Sequence, residues 1–169
     1  MLQVSELSGR HDRASFDCGN AELNSYLRES AGQHIRKSLA RVYVVCEEND
    51  PGRIVAYYSP NVCEIRSEEL PESFRKKFPR RIPAVRLGRL AVARANQRQG
   101  VGELMLFDAM RNVGQVDAIV GAVALLVDAK DEAARRFYLK YGFLALPDRP
   151  LTLILPISRV KEALARGNR

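Results

Sequence analysis

The sequence predicts an α/β fold in which a mixed central β-sheet carries helices on both faces. Strand-like and helix-like segments alternate along the 169 residues, with hairpins early and strand–helix–strand units late. Residues 118–127 form an almost continuous apolar run, which is typical of a strand covered on both faces. We expect one domain, residues 1–169, that buries ~70% of the surface of its unfolded chain and needs no disulfide to fold.

The first predicted helix begins after Asn20. The Asn20 carboxamide can accept a hydrogen bond from a backbone N–H of the first turn, which is the usual role of an N-cap residue. Apolar side chains then recur every four residues, as expected for a helix with one buried face. These side chains are Leu23, Leu27, Ala31 and Ile35.

A hairpin is predicted after this helix. Residues 41–46 are rich in β-branched side chains, and residues 49–52 (Asn-Asp-Pro-Gly) are a strong turn signal. Residues 54–59 then form the returning strand. We predict a polar connection over residues 66–84 that contains a short helix near 69–78.

The second half of the chain alternates between strands and helices. Two residues are suited to start helices there, since Asp131 and Ser158 both have side chains that can act as N-caps. The predicted segments are a strand over 85–92, a loop over 94–100, a helix over 101–113, a strand over 118–127, a helix from Asp131 to before Gly142, a strand over 151–155 and a C-terminal helix.

The positive charge is concentrated in the middle of the chain. There are 27 Lys and Arg against 20 Asp and Glu, a formal net charge of +7, and no acidic residue lies between Ser73 and Gly102. Such a one-sided run attracts phosphate-rich partners, although a solvated loop is the alternative interpretation. Pro79 and Pro83 interrupt the run, which argues against an amphipathic helix on a membrane. The basic residues are Arg75, Lys76, Lys77, Arg80, Arg81, Arg86, Arg89, Arg94 and Arg98.

Composition excludes several other classes of protein. With 46% hydrophobic and 28% charged residues, the chain is neither disordered nor collagen-like. It has no apolar run long enough to cross a bilayer and no signal peptide at its N-terminus. Its three cysteines form no Cys-x-x-Cys pair, and its two histidines lack ligand-like spacing. We therefore expect a cytoplasmic protein with no disulfide framework, no metal site and no membrane association.

One loop carries a chemical signal. It lies between a predicted strand and a predicted helix, where backbone N–H groups converge and glycine lets an anion approach closely. It is not a Walker loop, because no Gly-Lys-Ser/Thr follows, and Met105 occupies the third glycine position of a dinucleotide motif. A plain turn into an amphipathic helix is the alternative. The residues are Gln97, Arg98, Gln99, Gly100, Val101 and Gly102.

This loop resembles the pyrophosphate loop of the GNAT superfamily of acetyl-CoA-dependent N-acetyltransferases. Residues 131–143 are similar to the superfamily's helix ending in Phe-Tyr-x-x-x-Gly-Phe, about forty residues later in the expected order. Residues 16–20 (Phe-Asp-Cys-Gly-Asn), 23–24 (Leu-Asn) and 86–92 (Arg-Leu-Gly-Arg-Leu-Ala-Val) resemble the bacterial GNAT toxins of type II toxin–antitoxin pairs, the TacT and AtaT group. The resemblance covers nearly the whole chain.

The resemblance implies a GNAT fold, a reaction and a set of partners. Members of this group use acetyl-CoA to acetylate the α-amine of aminoacyl-tRNA, which stops translation. They are usually neutralised by a ribbon-helix-helix antitoxin, and many form homodimers. Two alternatives stay open: a GNAT acetyltransferase for a small-molecule or protein amine, and a non-catalytic RNA-binding module with a CoA fold.

The resemblance also implies roles for particular residues. Leu90, Ala91 and Val92 would hydrogen-bond the pantetheine arm through their backbones, and the N–H of Val92 would polarise the thioester carbonyl. Tyr138 would assist the departing thiolate. Together with the loop, the expected acetyl-CoA contacts are Leu90, Ala91, Val92, Gln97, Arg98, Gln99, Gly100, Val101 and Gly102. Many superfamily members have Asn at the position of Asp131, and we interpret Asp131 as a helix cap outside the site.

The acceptor is expected to be an α-amine bound through RNA phosphates. No strong general base is evident, and an α-amine with a pKa of ~7.7–8 needs less help than a lysine amine with a pKa of ~10.4. Arg86 and Arg89 share one strand face only if a bulge intervenes, so at least one is expected to pair structurally. The candidate tRNA contacts are Arg36, Lys37, Arg75, Lys76, Lys77, Arg80, Arg81 and Arg89.

Overall fold

Seven strands and six α-helices are present in the computed structural model, which describes residues 1–167. The strands are β1 (Leu2–Glu6), β2 (Tyr43–Glu47), β3 (Asp50–Arg66), β4 (Arg81–Val92), β5 (Ala124–Asp128), β6 (Leu144–Leu146) and β7 (Arg149–Pro156). The helices are α1 (Ala21–Ser25), α2 (Ala31–Arg36), α3 (Glu72–Arg75), α4 (Val101–Val120), α5 (Glu132–Lys140) and α6 (Ile157–Gly167). A π-helical turn (Tyr26–Ser30) joins α1 to α2, and 3₁₀ turns lie at Ser67–Glu69 and Arg94–Asn96.

The strands form one mixed sheet in the order β1-β2-β3-β4-β5-β7-β6. β4 and β5 are parallel, whereas β1–β2, β2–β3, β5–β7 and β6–β7 are antiparallel. The parallel pair is joined by α4, as a parallel connection requires. The predicted α/β class with a mixed sheet is confirmed.

The chain divides into two compact units, each with its own apolar cluster. The first unit combines Met1–Asn61 with Gly88–Ala109, and its cluster includes Leu27, Val44 and Tyr57. The second unit combines Val62–Leu87 with the chain from Met110 onwards, and its cluster includes Ile82, Leu126 and Ile154. Burial of such side chains is the main favourable contribution to folding in each unit.

The first helix forms as predicted, with one irregularity. The Leu23 N–H donates to Asn20 Oδ1 over 3.0 Å, so Asn20 is the N-cap. Leu27 and Ala31 are fully buried. An α-helix of 3.6 residues per turn drifts away from a strict four-residue repeat, and the wider π-helical turn at Tyr26–Ser30 offsets this drift.

Several strand boundaries differ from the prediction. β1 and β6 were not predicted; both lie at edges of the sheet and are short, so they carry little periodic signal. β3 runs to Arg66 instead of ending at residue 59, and it passes through Pro60. β4 starts at Arg81 instead of residue 85, and the predicted helix near 69–78 is reduced to the four residues of α3.

The predicted strand over residues 118–127 is wrong in its first part. α4 continues to Val120, where Ile119 and Val120 are 81% and 77% exposed. Gly121, with a φ of +83°, ends the helix in the left-handed conformation that glycine adopts readily, and β5 starts at Ala124. A run of apolar residues does not distinguish a helix end from a buried strand.

Asp131 caps its helix as predicted, but Ser158 does not. The Ala134 N–H donates to Asp131 Oδ1 over 2.8 Å at the start of α5. α6 already begins at Ile157, directly after β7, so Ser158 lies inside its first turn. The strand leads into the helix without a loop, and no separate cap residue is placed at Ser158.

Candidate active site

The end of β4 presents backbone groups beyond its parallel ladder. The ladder with β5 pairs Ala84–Leu87 with Ala124–Val127, while β4 continues to Val92. The Ala93 N–H donates to the Val55 carbonyl on β3 over 2.8 Å. Adjacent residues of an extended strand direct their N–H groups to opposite edges, so the Val92 N–H is directed away from β3. It is therefore placed to donate to a ligand at this edge.

The side chains of the same segment serve packing. Ala91 is buried in the apolar cluster of the first unit, and Leu90 is half-buried. Because the expected role of Leu90, Ala91 and Val92 belongs to the backbone, it is compatible with this packing.

The loop of residues 97–102 has the conformation of an anion site. Arg98 and Gly100 both have positive φ, +62° and +80°, and successive backbone N–H groups in such a loop form a concave nest. A Cβ at Gly100 would meet no atom within 4 Å, so the loop faces open space there. The loop leads into α4, a helix of 20 residues whose N-terminus favours negative charge. A diphosphate fits these features.

Two of the loop residues have side chains that contact the rest of the protein, although Gln97 stays exposed and only Val101 is buried. The Gln97 carboxamide donates to the carbonyls of Cys18 and Val92, each over 3.0 Å, and so ties the loop to the end of β4. Val101 is buried, which leaves its backbone as the part available to a ligand. Arg98, Gln99 and Gly100 are exposed.

Tyr138 is a buried tyrosine with an available hydroxyl. It lies on α5 with its ring 5.3 Å from Phe137 and 5.4 Å from Phe143, centre to centre. Its hydroxyl makes no hydrogen bond to any group in residues 1–167. Burial raises the pKa of Tyr138 strongly, and the nearby negative charge of Asp128 raises it further. The phenol therefore stays protonated near neutral pH and can donate a hydrogen bond.

The turn after α5 holds Tyr138 in place. The backbone N–H groups of Tyr141 and Phe143 donate to the Tyr138 carbonyl over 3.0 and 3.3 Å. Gly142 has a φ of +89°, which lets the chain reverse directly after the helix. The glycine of the Phe-Tyr-x-x-x-Gly-Phe motif is thus required by the backbone, and the motif's aromatic residues pack on one another.

The prediction missed Asp128, the last residue of β5. Its carboxylate accepts a hydrogen bond from the Thr152 hydroxyl over 3.0 Å and forms an ion pair with Arg86 at 2.8 Å. An acidic residue that ends an apolar strand was the available signal. The pair also shows that Arg86 is used structurally, as expected for at least one of Arg86 and Arg89.

The predicted tRNA contacts fall into two groups. Arg36, Lys37 and Arg89 belong to the first unit, and the Arg89 guanidinium carbon lies 3.4 Å from the centre of the Tyr26 ring. Arg75, Lys76, Lys77, Arg80 and Arg81 belong to the second unit, and all five are exposed.

Part of the second group is engaged within the protein. Arg75 Nε donates to the Leu70 carbonyl over 2.9 Å, and Arg81 lies 3.8 Å from Glu64. Both side chains are exposed, so these weak contacts do not prevent an encounter with a polyanion.

The described residues contain neither a metal-binding cluster nor a membrane-spanning helix. Within 1–167, no three His, Cys, Asp or Glu side chains are grouped so as to hold a metal ion. In the same part of the chain, every helix is too short or too polar to cross a bilayer.

Comparison with known sequences identifies similar proteins along most of the chain. Residues 39–144 match the model of the acetyltransferase (GNAT) domain. The tRNA-acetylating toxin of Mycobacterium tuberculosis is 33% identical over 149 residues, which are 88% of each protein. A probable toxin TacT of Sinorhizobium fredii is 28% identical over 164 residues, 92% of this chain and 90% of that protein.

Solved structures of toxins have the same fold. A tyrosine-to-phenylalanine mutant of KacT superposes with a TM-score of 0.90 at 29% identity, covering 96% of this chain and 98% of that one. AtaT complexed with acetyl-methionyl-tRNAfMet superposes with a TM-score of 0.89 at 30% identity, covering 96% of this chain and 99% of that one. A mutant AtaT bound to acetyl-CoA and the C-terminus of the antitoxin AtaR superposes with a TM-score of 0.83 at 27% identity. This match covers 98% of this chain and 99% of that one.

Proposed function

Because the chain belongs to the GNAT family of acetyltransferases, we propose that it acetylates the α-amine of aminoacyl-tRNA and thereby blocks translation. The observation that carries the chemistry is the buried Tyr138, whose hydroxyl has no hydrogen-bond partner in residues 1–167 and whose pKa is raised. The substrate follows from the similarity to a tRNA-acetylating toxin and from the basic surface residues. The whole chain, residues 1–169, would act as one acetyltransferase domain.

Acetyl-CoA is the acetyl donor in this proposal and supplies a thioester when bound. The exposed N–H groups of the 97–102 loop and the N-terminus of α4 would hold its diphosphate. The backbone at Leu90, Ala91 and Val92 would hold the pantetheine arm. An acetyl-CoA complex of AtaT supports this choice of donor.

The Val92 N–H would stabilise charge during amine attack. It is directed away from β3, at an edge where the β4–β5 ladder has already ended. A backbone donor aimed at a carbonyl oxygen stabilises the negative charge that develops there, and it needs no reorganisation as the reaction proceeds.

Tyr138 would act on the leaving thiolate by hydrogen bonding. Reference pKa values of ~10 for tyrosine and ~8.5 for a thiol already make full proton transfer unfavourable by roughly 2 kcal/mol. Burial raises the pKa of Tyr138 further, so it donates a hydrogen bond more readily than a proton. Loss of the hydroxyl should reduce the rate by about 10²–10⁴-fold.

An α-amine acceptor suits a site without a dedicated base. Such an amine has a pKa of ~7.7–8, so a useful fraction is neutral near pH 7.5 without help from the protein. The exposed basic residues would contact the tRNA backbone and position its acceptor end. Since charged tRNA is a cytoplasmic substrate, we place the activity in the cytoplasm.

Two further partners follow from similarity. We propose that a ribbon-helix-helix antitoxin neutralises the enzyme, in line with the AtaT complex with the C-terminus of its antitoxin. A homodimer is proposed by resemblance to the same group of toxins.

The decisive experiment measures acetyl transfer from labelled acetyl-CoA to a pool of charged elongator tRNAs. We expect label on the esterified amino acid, none on deacylated tRNA, and loss of transfer in Tyr138→Phe. Bound acetyl-CoA without label on charged tRNA would overturn the proposal and favour a small-molecule or protein amine. RNA binding without any consumption of acetyl-CoA would favour a non-catalytic module.

A further inference from the structure

Two arginine side chains converge over a glycine on the first helix. A Cβ placed on Gly32 would lie 2.7 Å from Arg13 Nη1 and 3.3 Å from Arg36 Nη1. Arg36 follows Gly32 by one helical turn, and Arg13 comes from the segment between β1 and α1. The two guanidinium groups therefore meet above the position where any other residue would place its side chain.

Neither arginine is neutralised by the protein. Within residues 1–167, Arg13 and Arg36 form no ion pair and no hydrogen bond. Other arginines of the chain, among them Arg86, Arg94 and Arg149, are paired with carboxylates. Two like charges brought together without an acid repel each other unless an anion lies between them.

The geometry points to a phosphate as that anion. A guanidinium group presents a planar fork of N–H donors that matches the oxygens of a phosphate, and two forks can grip one group from two sides. The missing side chain of Gly32 lets the Arg13 guanidinium lie directly against the helix, next to that of Arg36. Arg36 and the following Lys37 are exposed, so a large polyanion can reach the pair.

We propose that Arg13, Gly32 and Arg36 form a clamp for a single backbone phosphate of tRNA. The choice of RNA rests on the proposed function, whereas the clamp itself is tested by binding alone. Arg13 is thereby assigned a role that its sequence context, outside the basic run of residues 73–102, did not indicate. The clamp would position tRNA and would make no contact with the reacting atoms.

The first test measures the affinity of the full chain for unfractionated deacylated tRNA. Arg13→Gln and Arg36→Gln should each weaken binding by about tenfold and lower the slope of log affinity against log salt by about 1. Because both arginines grip the same phosphate, the double variant should bind tRNA at most about twofold more weakly than either single variant. Losses that multiply in the double variant would overturn the clamp.

Two further variants separate the clamp from charge in general. Gly32→Ala keeps every charge but fills the space beneath Arg13, so it should weaken tRNA binding about as much as Arg13→Gln. Alanine is favoured over glycine inside a helix, so the melting temperature should not fall. Arg28→Gln removes one exposed charge from the same helical segment and should change affinity less than threefold. An unaffected Gly32→Ala, or an equal loss in Arg28→Gln, would overturn the proposal.

Acetyl transfer distinguishes failure of the clamp from failure of the proposed function. If charged tRNA is acetylated but the clamp variants bind tRNA normally, the clamp is wrong and the proposed function stands. If the clamp variants lose tRNA affinity but the protein acetylates no charged tRNA, the clamp stands and the proposed function is wrong. Transfer to an amino acid amide, which lacks phosphate, should be the same in the clamp variants and the unmodified chain.

Discussion

Tyr57 and Tyr138 are both buried, and burial raises the pKa of both side chains well above the usual value. Their hydroxyl groups differ in what they contact. The Tyr57 hydroxyl donates to the Leu23 carbonyl over 2.7 Å, whereas the Tyr138 hydroxyl has no partner in the described chain. A hydroxyl that makes no hydrogen bond within the protein adds little to folding and is available to a ligand, so its presence at Tyr138 is better explained by the reaction.

Replacing these two tyrosines by phenylalanine should have opposite effects. Tyr57→Phe removes a buried hydrogen bond, while the Leu23 carbonyl still accepts the Tyr26 N–H, so the free energy of unfolding should fall by about 0.5–1.5 kcal/mol. Tyr138→Phe should change stability by less than about 0.5 kcal/mol while reducing acetyl transfer by about 10²–10⁴-fold. Urea unfolding and steady-state kinetics on both variants check this. A Tyr138→Phe protein as destabilised as Tyr57→Phe would indicate a structural role instead.

The pH dependence of the reaction should show one rising limb. An α-amine acceptor loses its proton with a pKa of ~7.7–8, so kcat/KM should rise through that range. Burial holds Tyr138 protonated, because its pKa lies above the usual ~10, so no falling limb should appear below pH ~10. Rates measured with an amino acid amide from about pH 6 to 10 check this. A fall in rate between about pH 8 and 9 would contradict a protonated Tyr138.

α5 depends on its N-cap residue, Asp131, for stability and for the placement of Tyr138. The Asp131 carboxylate accepts the Ala134 N–H, and Tyr138 lies two turns further along the helix. The Asp131 side chain therefore serves as the N-cap of the helix that carries Tyr138.

Two substitutions at Asp131 should separate its hydrogen bond from its charge. Asp131→Ala removes the cap and should lower the free energy of unfolding by about 1 kcal/mol. Asp131→Asn keeps an acceptor oxygen and should be nearly as stable as the unmodified chain. Thermal unfolding of both variants measures the difference. Equal destabilisation by Ala and Asn would show that charge, not the cap hydrogen bond, is what matters.

Local features of the elements were predictable because they depend on near neighbours. The caps at Asn20 and Asp131 involve residues three positions apart, and the 97–102 loop is defined by its own backbone conformation. Element boundaries were less predictable. Residues 118–120 are as apolar as a buried strand, yet they end α4 in solvent, because Gly121 stops the helix and β5 pairs only from Ala124.

The charge of the whole molecule should control which substrates it handles. With a formal net charge of +7, the protein attracts polyanions at long range, and each phosphate contact releases counterions. A small amine acceptor makes no such contacts.

Transfer to charged tRNA should therefore depend steeply on salt, whereas transfer to an amino acid amide should not. With three phosphate contacts, tRNA affinity falls by about 40-fold between ~50 and ~200 mM salt. The value of kcat/KM for charged tRNA should fall with it, while that for the amide should change by less than about twofold. A flat salt profile for charged tRNA would show that the basic residues are merely solvated.

The chain's own sequence was sufficient to predict the alternation of strands and helices, a loop over residues 97–102 before α4, and the aromatic motif around Tyr138. Each is encoded within a few consecutive residues, where backbone conformation and capping are settled locally. Composition was also sufficient to establish the excess of positive charge.

Folding was needed to show which charged groups meet. Arg86 pairs with Asp128, 42 positions away, and Arg81 lies beside Glu64, so part of the basic run is neutralised. Arg13 and Arg36 instead converge over Gly32 without an acid. Such encounters depend on how distant segments pack, because a side chain's partner is set by position in space and not by position along the chain.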